Sequence, residues 1–152
     1  MLLNVGAFTL VEIVIALGVL GTMSGGAYVG FNVINAYAAS SRLYSEAQAV
    51  AQNQIDLILS QGPFNIARNK IPSVLALGTT VKPNVFVYRD SVRGNALVTG
   101  TMSTAISEYP ATMTYGGETA NLNVRKATVT VTYSWRNRTY NVIMETLRTA
   151  DQ

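Results

Sequence analysis

The most constraining feature of this sequence is a long apolar stretch near the N-terminus that carries a single charge. The chain has 11 basic and 8 acidic residues, and of these only Glu12 precedes Arg42. From Phe8 to Phe31 almost every residue is apolar or small, and no proline interrupts the run. About 20 such residues span the hydrocarbon core of a bilayer as a helix. The sequence therefore predicts a membrane span in this segment.

A secretory signal peptide is the alternative interpretation of this segment. Such a peptide has a basic leading region, a shorter apolar run and a small-residue cleavage site. Residues 21–24, Gly-Thr-Met-Ser, resemble a cleavage site. However, no Lys or Arg precedes the apolar run, and the run is longer than a signal peptide requires. Both observations favour a permanent membrane span.

Composition excludes several classes of chemistry. The chain contains neither cysteine nor histidine, so it has no disulfides, no usual zinc ligand set and no nucleophile activated by histidine. The net charge of +3 is mild and does not require an anionic partner. The scattered acids Asp90, Glu108, Glu118 and Glu145 show no catalytic spacing. We therefore expect a protein that is not an enzyme and has no metal or cofactor.

Glu12 distinguishes this segment from a plain anchor. A carboxylate at the centre of a membrane helix costs about 2.5–3.5 kcal/mol. A position in the first helical turns lowers that cost, because the positive end of the helix dipole favours an anion. A buried carboxylate still needs a cation or hydrogen-bond donors, and the nearest basic residue is Arg42. The partner must be a chain terminus or another chain.

The residues around Glu12 resemble the N-terminal motif of type IV prepilins and pseudopilins. The matching run is Phe-Thr-Leu-Val-Glu at 8–12, followed by Ile-Val-Ile-Ala-Leu at 13–17. The resemblance implies that a prepilin peptidase removes a leader, that the new N-terminal Phe is N-methylated, and that the fifth mature residue, a Glu, pairs with the terminal amine of a neighbouring subunit. It also implies contacts with other pilin or pseudopilin subunits through this helix and with an assembly platform in the inner membrane.

The register of the motif places the cut between Ala7 and Phe8, which makes Phe8 the methylated residue and Glu12 the fifth. The family usually has Gly before the cut, and a cut between Gly6 and Ala7 restores that Gly but makes Glu12 the sixth residue. Residues 1–7, the predicted leader, contain no Lys or Arg, although family leaders are usually basic. Either this leader is atypical or the true start lies upstream of Met1.

Five glycines lie inside the predicted span, and their spacing permits close helix packing. Two pairs have the GxxxG spacing that lets membrane helices approach each other. The resemblance adds a second interpretation, because pilin-like helices loosen near glycine or proline inside filaments. A third is that glycine is simply common in membrane helices. The glycines are Gly18, Gly21, Gly25, Gly26 and Gly30.

The helix is expected to continue beyond the span as an amphipathic segment. Seven apolar residues recur at three- and four-residue spacing, and Arg42 and Glu46 are spaced for an ion pair. A Gly-Pro pair at 62–63 predicts the helix end. We therefore divide the chain into a leader (1–7), a transmembrane or filament-core half (8–35), an amphipathic half (36–61) and a β head (62–152). The apolar residues are Leu43, Ala47, Val50, Ala51, Ile55, Ile58 and Leu59.

From Val81 onward the sequence has the two-residue period of β-strands. Residues 85–89 are a strand candidate, 95–102 and 111–115 are weaker ones, and a short helix is predicted near 73–77. Residues 127–135 and 139–147 predict a hairpin with one apolar and one polar face. Its apolar face should cover the amphipathic half of the helix. The expected fold is α+β, a long helix on an antiparallel sheet, as in pilin heads.

Two binding hypotheses and one alternative function remain. Glu108 and Glu118 flank a Tyr- and Gly-rich segment that was considered as a calcium loop, although such sites need several clustered oxygen ligands. A basic and aromatic patch is a weak candidate for binding nucleic acid. It consists of the tip at 136–138, the basic residues Arg89, Arg93, Arg125 and Lys126, and the aromatic residues Tyr133, Trp135 and Tyr140. The predicted function is a subunit of a type IV pilus or type II secretion pseudopilus, with its head in the periplasm. The alternative is a monomeric, membrane-anchored periplasmic binding protein.

The subfamily is less constrained. Without cysteine, the chain lacks the disulfide-closed C-terminal loop of many major pilins. The resemblance therefore favours a minor pilin or a pseudopilin.

Overall fold

The computed structural model describes residues 9–89 and 97–151. The two predicted cleavage positions and the predicted methylation site Phe8 lie outside these residues, as do residues 90–96. The chain divides into two compact units, Met1–Ser41 and Arg42–Gln152. The predicted α+β class is confirmed, since one long helix is followed by a four-stranded antiparallel sheet.

The helix, α1, spans Leu10–Ser60, 51 residues. It passes through all five glycines without a break, and it ends just before the Gly-Pro pair at 62–63, as predicted. A single 3₁₀ turn at Ser73–Leu75 follows, within the segment where a short helix was expected.

The sheet consists of four strands in the order in which they occur along the chain, and each pairs antiparallel with the next. They are β1 (Gly78–Arg89), β2 (Leu97–Tyr115), β3 (Glu118–Trp135) and β4 (Arg138–Thr149). The predicted C-terminal hairpin is confirmed, with Val131 opposite Val142 and Tyr133 opposite Tyr140.

The core lies between the second half of α1 and one face of the sheet. The buried helix residues include Leu43, Ala51 and Ile58, and they share one apolar cluster with Val129 and Val131 of β3. Alternating β3 residues are buried and half-buried, as the two-residue period predicts. The expectation that the hairpin covers the amphipathic half of the helix is therefore confirmed.

The end of α1 is fastened to the last strand by polar contacts. Arg148 donates a hydrogen bond to the carbonyl oxygen of Ile58 at 2.5 Å, where a cation also complements the helix dipole. The Asp151 carboxylate accepts from the backbone N–H of Phe64 at 2.7 Å and lies 3.7 Å from the Arg148 guanidinium. Arg125 donates to the carbonyl of Leu75. The chain after α1 is therefore held at one end of the β3–β4 pair, where Arg125 and Arg148 lie opposite each other.

The strands are longer than the sequence pattern indicated. β2 joins the two weaker candidates at 95–102 and 111–115 into one strand of 19 residues, and the segment from Glu108 to Glu118 is strand and turn rather than loop. The turn is Gly116-Gly117, both with positive φ (60° and 87°), which glycine adopts at little cost. Because glycine occupies both turn positions, Tyr115 and Glu118 on either side of the turn pair directly as strand residues.

The predicted ion pair between Arg42 and Glu46 is wrong. Within residues 9–89 and 97–151, the ion pairs are Lys126–Glu145 and Arg148–Asp151. The Arg42 guanidinium instead lies over the ring of Tyr88, 4.8 Å from its centroid. A cation over an aromatic face competes well with an exposed i, i+4 pair, since the latter contributes only about 0.3–0.5 kcal/mol.

Gly100 marks the tightest point of the sheet, and its replacement by Ala should destabilise the head. A Cβ at this position would lie 2.5 Å from the carbonyl oxygen of Thr132 and 3.1 Å from Val87 Cγ2. The first neighbour is backbone, so the strands themselves must shift, and overpacking of this kind costs about 1–3 kcal/mol. Thermal unfolding of the full chain in detergent, followed by the fluorescence of the single Trp, would measure it. The neighbouring exposed Thr101→Ala is the matched control, and an unchanged melting temperature for Gly100→Ala would contradict the prediction.

Candidate functional site

The first part of α1 is bare. Every residue from Thr9 to Val29 is exposed, including Leu10 at 79% and Leu20 at 60%. Among the described residues, α1 is the one helix long and apolar enough to cross a membrane, and none of its most apolar 18-residue window is buried. An uncovered apolar surface of this size is unstable in water, so this part of the chain needs lipid or other protein chains around it.

Thr9 starts the helix. Its hydroxyl oxygen accepts a hydrogen bond from the backbone N–H of Glu12 at 3.3 Å, the contact of a helix N-cap with the third helical residue. Thr9-Leu10-Val11-Glu12 also fits the capping-box pattern, in which the Glu side chain returns to the backbone of the cap residue. The bond that is present uses the Glu12 backbone, so capping explains Thr9 but not the Glu12 carboxylate.

The Glu12 carboxylate is exposed on the side of the helix. It forms no ion pair or hydrogen bond with any of residues 9–89 or 97–151. It borders a shallow concavity formed by Glu12, Ile13, Ala16, Leu17 and Leu20. The small side chain of Ala16, one turn further along, leaves space beside the carboxylate. A donor from outside the described chain can therefore approach Glu12 along an otherwise apolar surface.

The glycines lie on open helix surface. A Cβ added at any of the five would meet nothing within 4 Å, so no contact within the described chain requires them. At 3.6 residues per turn, Gly18, Gly21 and Gly25 share one side of the helix, while Gly26 and Gly30 lie roughly 100° around it. The two GxxxG pairs are thus two separate small-residue tracks, each accessible to another helix. In the single chain α1 is continuous through these positions, and loosening inside a filament stays a prediction.

One polar side chain within the span is satisfied by the helix itself. The Thr22 hydroxyl donates to the carbonyl oxygen of Val19 at 2.9 Å. This bond removes most of the cost of placing a hydroxyl in lipid. Thr22 is therefore compatible with a membrane span, unlike the unpaired carboxylate of Glu12.

The structure does not bring the proposed calcium ligands together. Glu108 lies opposite Arg125 in β2–β3, and Glu118 lies opposite Tyr115. The two carboxylates are therefore separated by seven strand positions, about 23 Å. A single ion cannot bind both, so the calcium-loop hypothesis is wrong for this pair.

The proposed basic and aromatic patch is also divided. Arg125 is buried at 5% exposure and Tyr133 at 3%, and the Tyr133 ring stacks on Tyr140 with centroids 5.4 Å apart. Burial raises the pKa of the Tyr133 hydroxyl. Lys126 pairs with Glu145 at 2.8 Å, and the bonds of Lys126 and Thr128 to that carboxylate lower its pKa. Neither Arg125 nor Tyr133 is available to stack or pair with an external strand.

The exposed arginines of the predicted patch lie at the turn between β3 and β4. Arg136 and Arg138 are both exposed, and the Arg136 guanidinium lies over the Trp135 ring, 4.6 Å from its centroid. Arg93 is outside the described residues. Among the basic patch members whose side chains the structure describes, the two turn arginines are exposed, Lys126 is half-buried and Arg125 is buried.

Two features of the structure were not predicted. The first is the Thr9 cap, for which a signal existed, since Thr-x-x-Glu before an apolar run is a helix-start pattern. The second is the set of polar contacts made by Arg148 and Asp151, which join residues about 90 positions apart and correspond to no local sequence pattern.

Comparisons of the chain with family models, curated proteins and solved structures give no match.

Proposed function

We propose that this chain is the structural subunit of a pilin-like filament, either a type IV pilus or a type II secretion pseudopilus. Before assembly it is anchored in the inner membrane by α1, with its head in the periplasm. Prepilin peptidase removes the leader before Phe8, Phe8 is N-methylated, and the assembly platform adds the subunit to the filament. In the filament, α1 packs against the α1 helices of other subunits.

The observation that carries this proposal is the exposed carboxylate of Glu12 at the start of a bare apolar helix. Leaving it in lipid without a partner costs about 2.5–3.5 kcal/mol, and residues 9–89 and 97–151 offer no partner. The N-terminal amine of a neighbouring processed subunit is a cation of the right size, and it reaches the helix start from outside. A monomeric anchor has no use for such a carboxylate.

The remainder of α1 supports the same proposal. Its two glycine tracks have open surface around them, which suits close packing by the backbones of other helices. The head, a helix on an antiparallel sheet, is compatible with a pilin fold. A filament subunit needs these features, because its helix is surrounded first by lipid and later by the helices of neighbouring subunits.

Mass spectrometry of the protein extracted from membranes tests the proposal. In cells with an active prepilin peptidase, we expect loss of the residues before Phe8 and a methyl group on the Phe8 amine. Cells without the peptidase provide the control and should keep the full chain. A chain that starts at Ala7 would identify the cut after Gly6 instead. An intact Met1 in cells with the active peptidase would contradict the proposal and leave the membrane-anchored monomer.

A further inference from the structure

The apolar face of the sheet changes sides part-way along β2 and β3. Up to Ile106 and its partner Ala127, the apolar residues face the α1 side and are buried. Beyond that pair the α1 side carries polar residues and a proline, and the apolar residues are on the opposite face. The apolar residues of this outer face are the buried Val124 and, further out, Tyr109, Ala111, Met113, Tyr115, Ala120 and Leu122.

The part of the hairpin that carries this reversed face extends beyond the rest of the sheet. Pairing with β1 ends at Ile106, opposite Gly78, and pairing with β4 ends at Val124, opposite Thr149. Residues 107–123, which we call the arm, therefore pair as strands only with each other among the described residues. Tyr115 is 84% exposed, Met113 51% and Tyr109 43%. A two-stranded hairpin is marginal in water by itself; the base of the arm is held by a hydrogen bond from the Ala150 N–H to the Asn123 carbonyl and Leu122 is half-buried, but the large apolar side chains towards the tip stay exposed.

The arm is acidic, and the other end of the same strand is basic. Residues 107–123 include Glu108 and Glu118 and no Lys or Arg, a formal charge of −2. Residues 134–139 include Arg136 and Arg138 and no acid, a formal charge of +2. The 17 steps of β3 from Glu118 to Trp135 separate the two ends by roughly 56 Å. They are complementary, but they can meet only between two chains.

The basic turn has an aromatic surface to match the arm. Its two central residues, Arg136 and Asn137, have positive φ (48° and 62°). Asn is common in such turns, whereas Arg at a left-handed position is unfavourable. Arg136 keeps that conformation while its guanidinium covers the Trp135 ring at 4.6 Å. The result is an exposed cationic and aromatic surface suited to a tyrosine and a carboxylate.

The arm end and the turn end of the sheet lie beside opposite ends of the head's part of α1, residues 42–60. On the arm side, Arg148, opposite Arg125 in the sheet, contacts Ile58 near the helix end. On the turn side, the guanidinium of Arg42 lies over the Tyr88 ring, 4.8 Å from its centroid, and Tyr88 pairs with Val98, two residues before the Gly100 that lies opposite Tyr133. A contact from the arm of one head to the turn of another therefore runs along the helix direction.

We propose that the arm of one subunit docks onto the β3–β4 turn of a second copy of this chain. Glu118 pairs with the turn arginines, and Tyr115 packs on the Arg136–Trp135 surface. The contact joins two different surfaces, so it does not close into a dimer and can continue from copy to copy. The inference rests on the proposed function, since it places this contact between the heads of a filament.

The absence of cysteine makes a direct test practicable in the full chain. Ala120→Cys, on the outer face of the arm, and Thr139→Cys, beside the basic turn, are introduced together, since both residues are exposed and neither makes a proposed contact; membranes and sheared filaments are then treated with a short bismaleimide cross-linker. We expect a ladder of dimers, trimers and larger species, which an open head-to-tail contact produces, and only monomer from either single variant. Thr112→Cys with Thr139→Cys is the matched control, because Thr112 faces the other side of the arm. It should give little ladder.

Charge reversal gives a second measurement. In the cross-linking chain, Glu118→Lys or Arg136→Glu alone should reduce the ladder about tenfold, and the two together should restore it. Far-UV circular dichroism checks that each variant folds. Dimers from Ala120→Cys alone would indicate a symmetric arm contact and overturn the proposal, as would the absence of a ladder in filaments that assemble normally. The latter result would leave the proposed function intact. A ladder in membranes that never form filaments would support the contact and count against the proposed function.

Discussion

Replacing Glu12 by Ala is expected to leave the protein in the membrane but to remove it from filaments. The substitution makes the helix more apolar, so insertion is maintained or improved. Assembly loses a charge pair in a low-dielectric setting, and an unpaired partner there costs about 3–5 kcal/mol. That corresponds to a reduction in incorporation of at least about a hundredfold. Competition between tagged wild-type and variant subunits, scored in sheared filaments and in membranes, measures both effects.

Three control variants separate charge from structure. The Thr9 cap bonds to the backbone N–H of residue 12, so it survives any substitution of the side chain. Glu12→Gln keeps the shape without the charge and should behave like Glu12→Ala, while Glu12→Asp should retain part of the incorporation. Glu46→Gln removes an exposed carboxylate from the head's part of α1 and should have no effect. Normal incorporation of Glu12→Ala would rule out the pairing argument.

Replacing Phe64 by Ala should have the largest effect on the stability of the head. Phe64 is completely buried, and two guanidinium groups face its ring, that of Arg125 at 5.5 Å and that of Arg148 at 6.0 Å. Removing a buried phenyl ring costs about 3–5 kcal/mol. Here it also exposes the contacts that join the helix end to β4.

Trp fluorescence during thermal unfolding in detergent measures this effect, since the chain has a single Trp. Phe86→Ala is the matched control, because Phe86 is 63% exposed and its loss should change stability by no more than about 0.5 kcal/mol. If the two variants unfolded at the same temperature, the assignment of Phe64 to the core of the head would be wrong.

The sequence predicted those parts of the fold in which one residue pattern continues without interruption. The apolar run before Arg42 and the alternation of β3 each follow from a single period, so α1 and the C-terminal hairpin were found. The long β2 strand was divided because Thr, Ser and Pro110 weaken the pattern. Pairing with β3 overrides these local preferences, as does the two-glycine turn at Gly116-Gly117.

The candidate site was predictable to a different degree. Glu12 stood out because its cost in lipid is high and its neighbours are uncharged. The acids at 108 and 118 are only a weak candidate pair by sequence, and their actual separation depends on strand register, which sequence spacing does not reveal. Likewise, the direction of Arg125 into the head is set by its partner Leu75, 50 residues away. Local composition could suggest a basic patch but could not exclude this residue from it.

The exposed apolar half of α1 restricts how the chain can pass between a lipid environment and a protein environment. Each large apolar side chain moved from a covering medium into water costs about 1.5–3 kcal/mol, and this segment exposes more than a dozen of them. Release into water would therefore cost tens of kcal/mol, far beyond thermal reach. Exchange between lipid and protein neighbours must take place where the two touch. A polymer of this chain would consequently gain and lose its members at the bilayer surface rather than at its free tip.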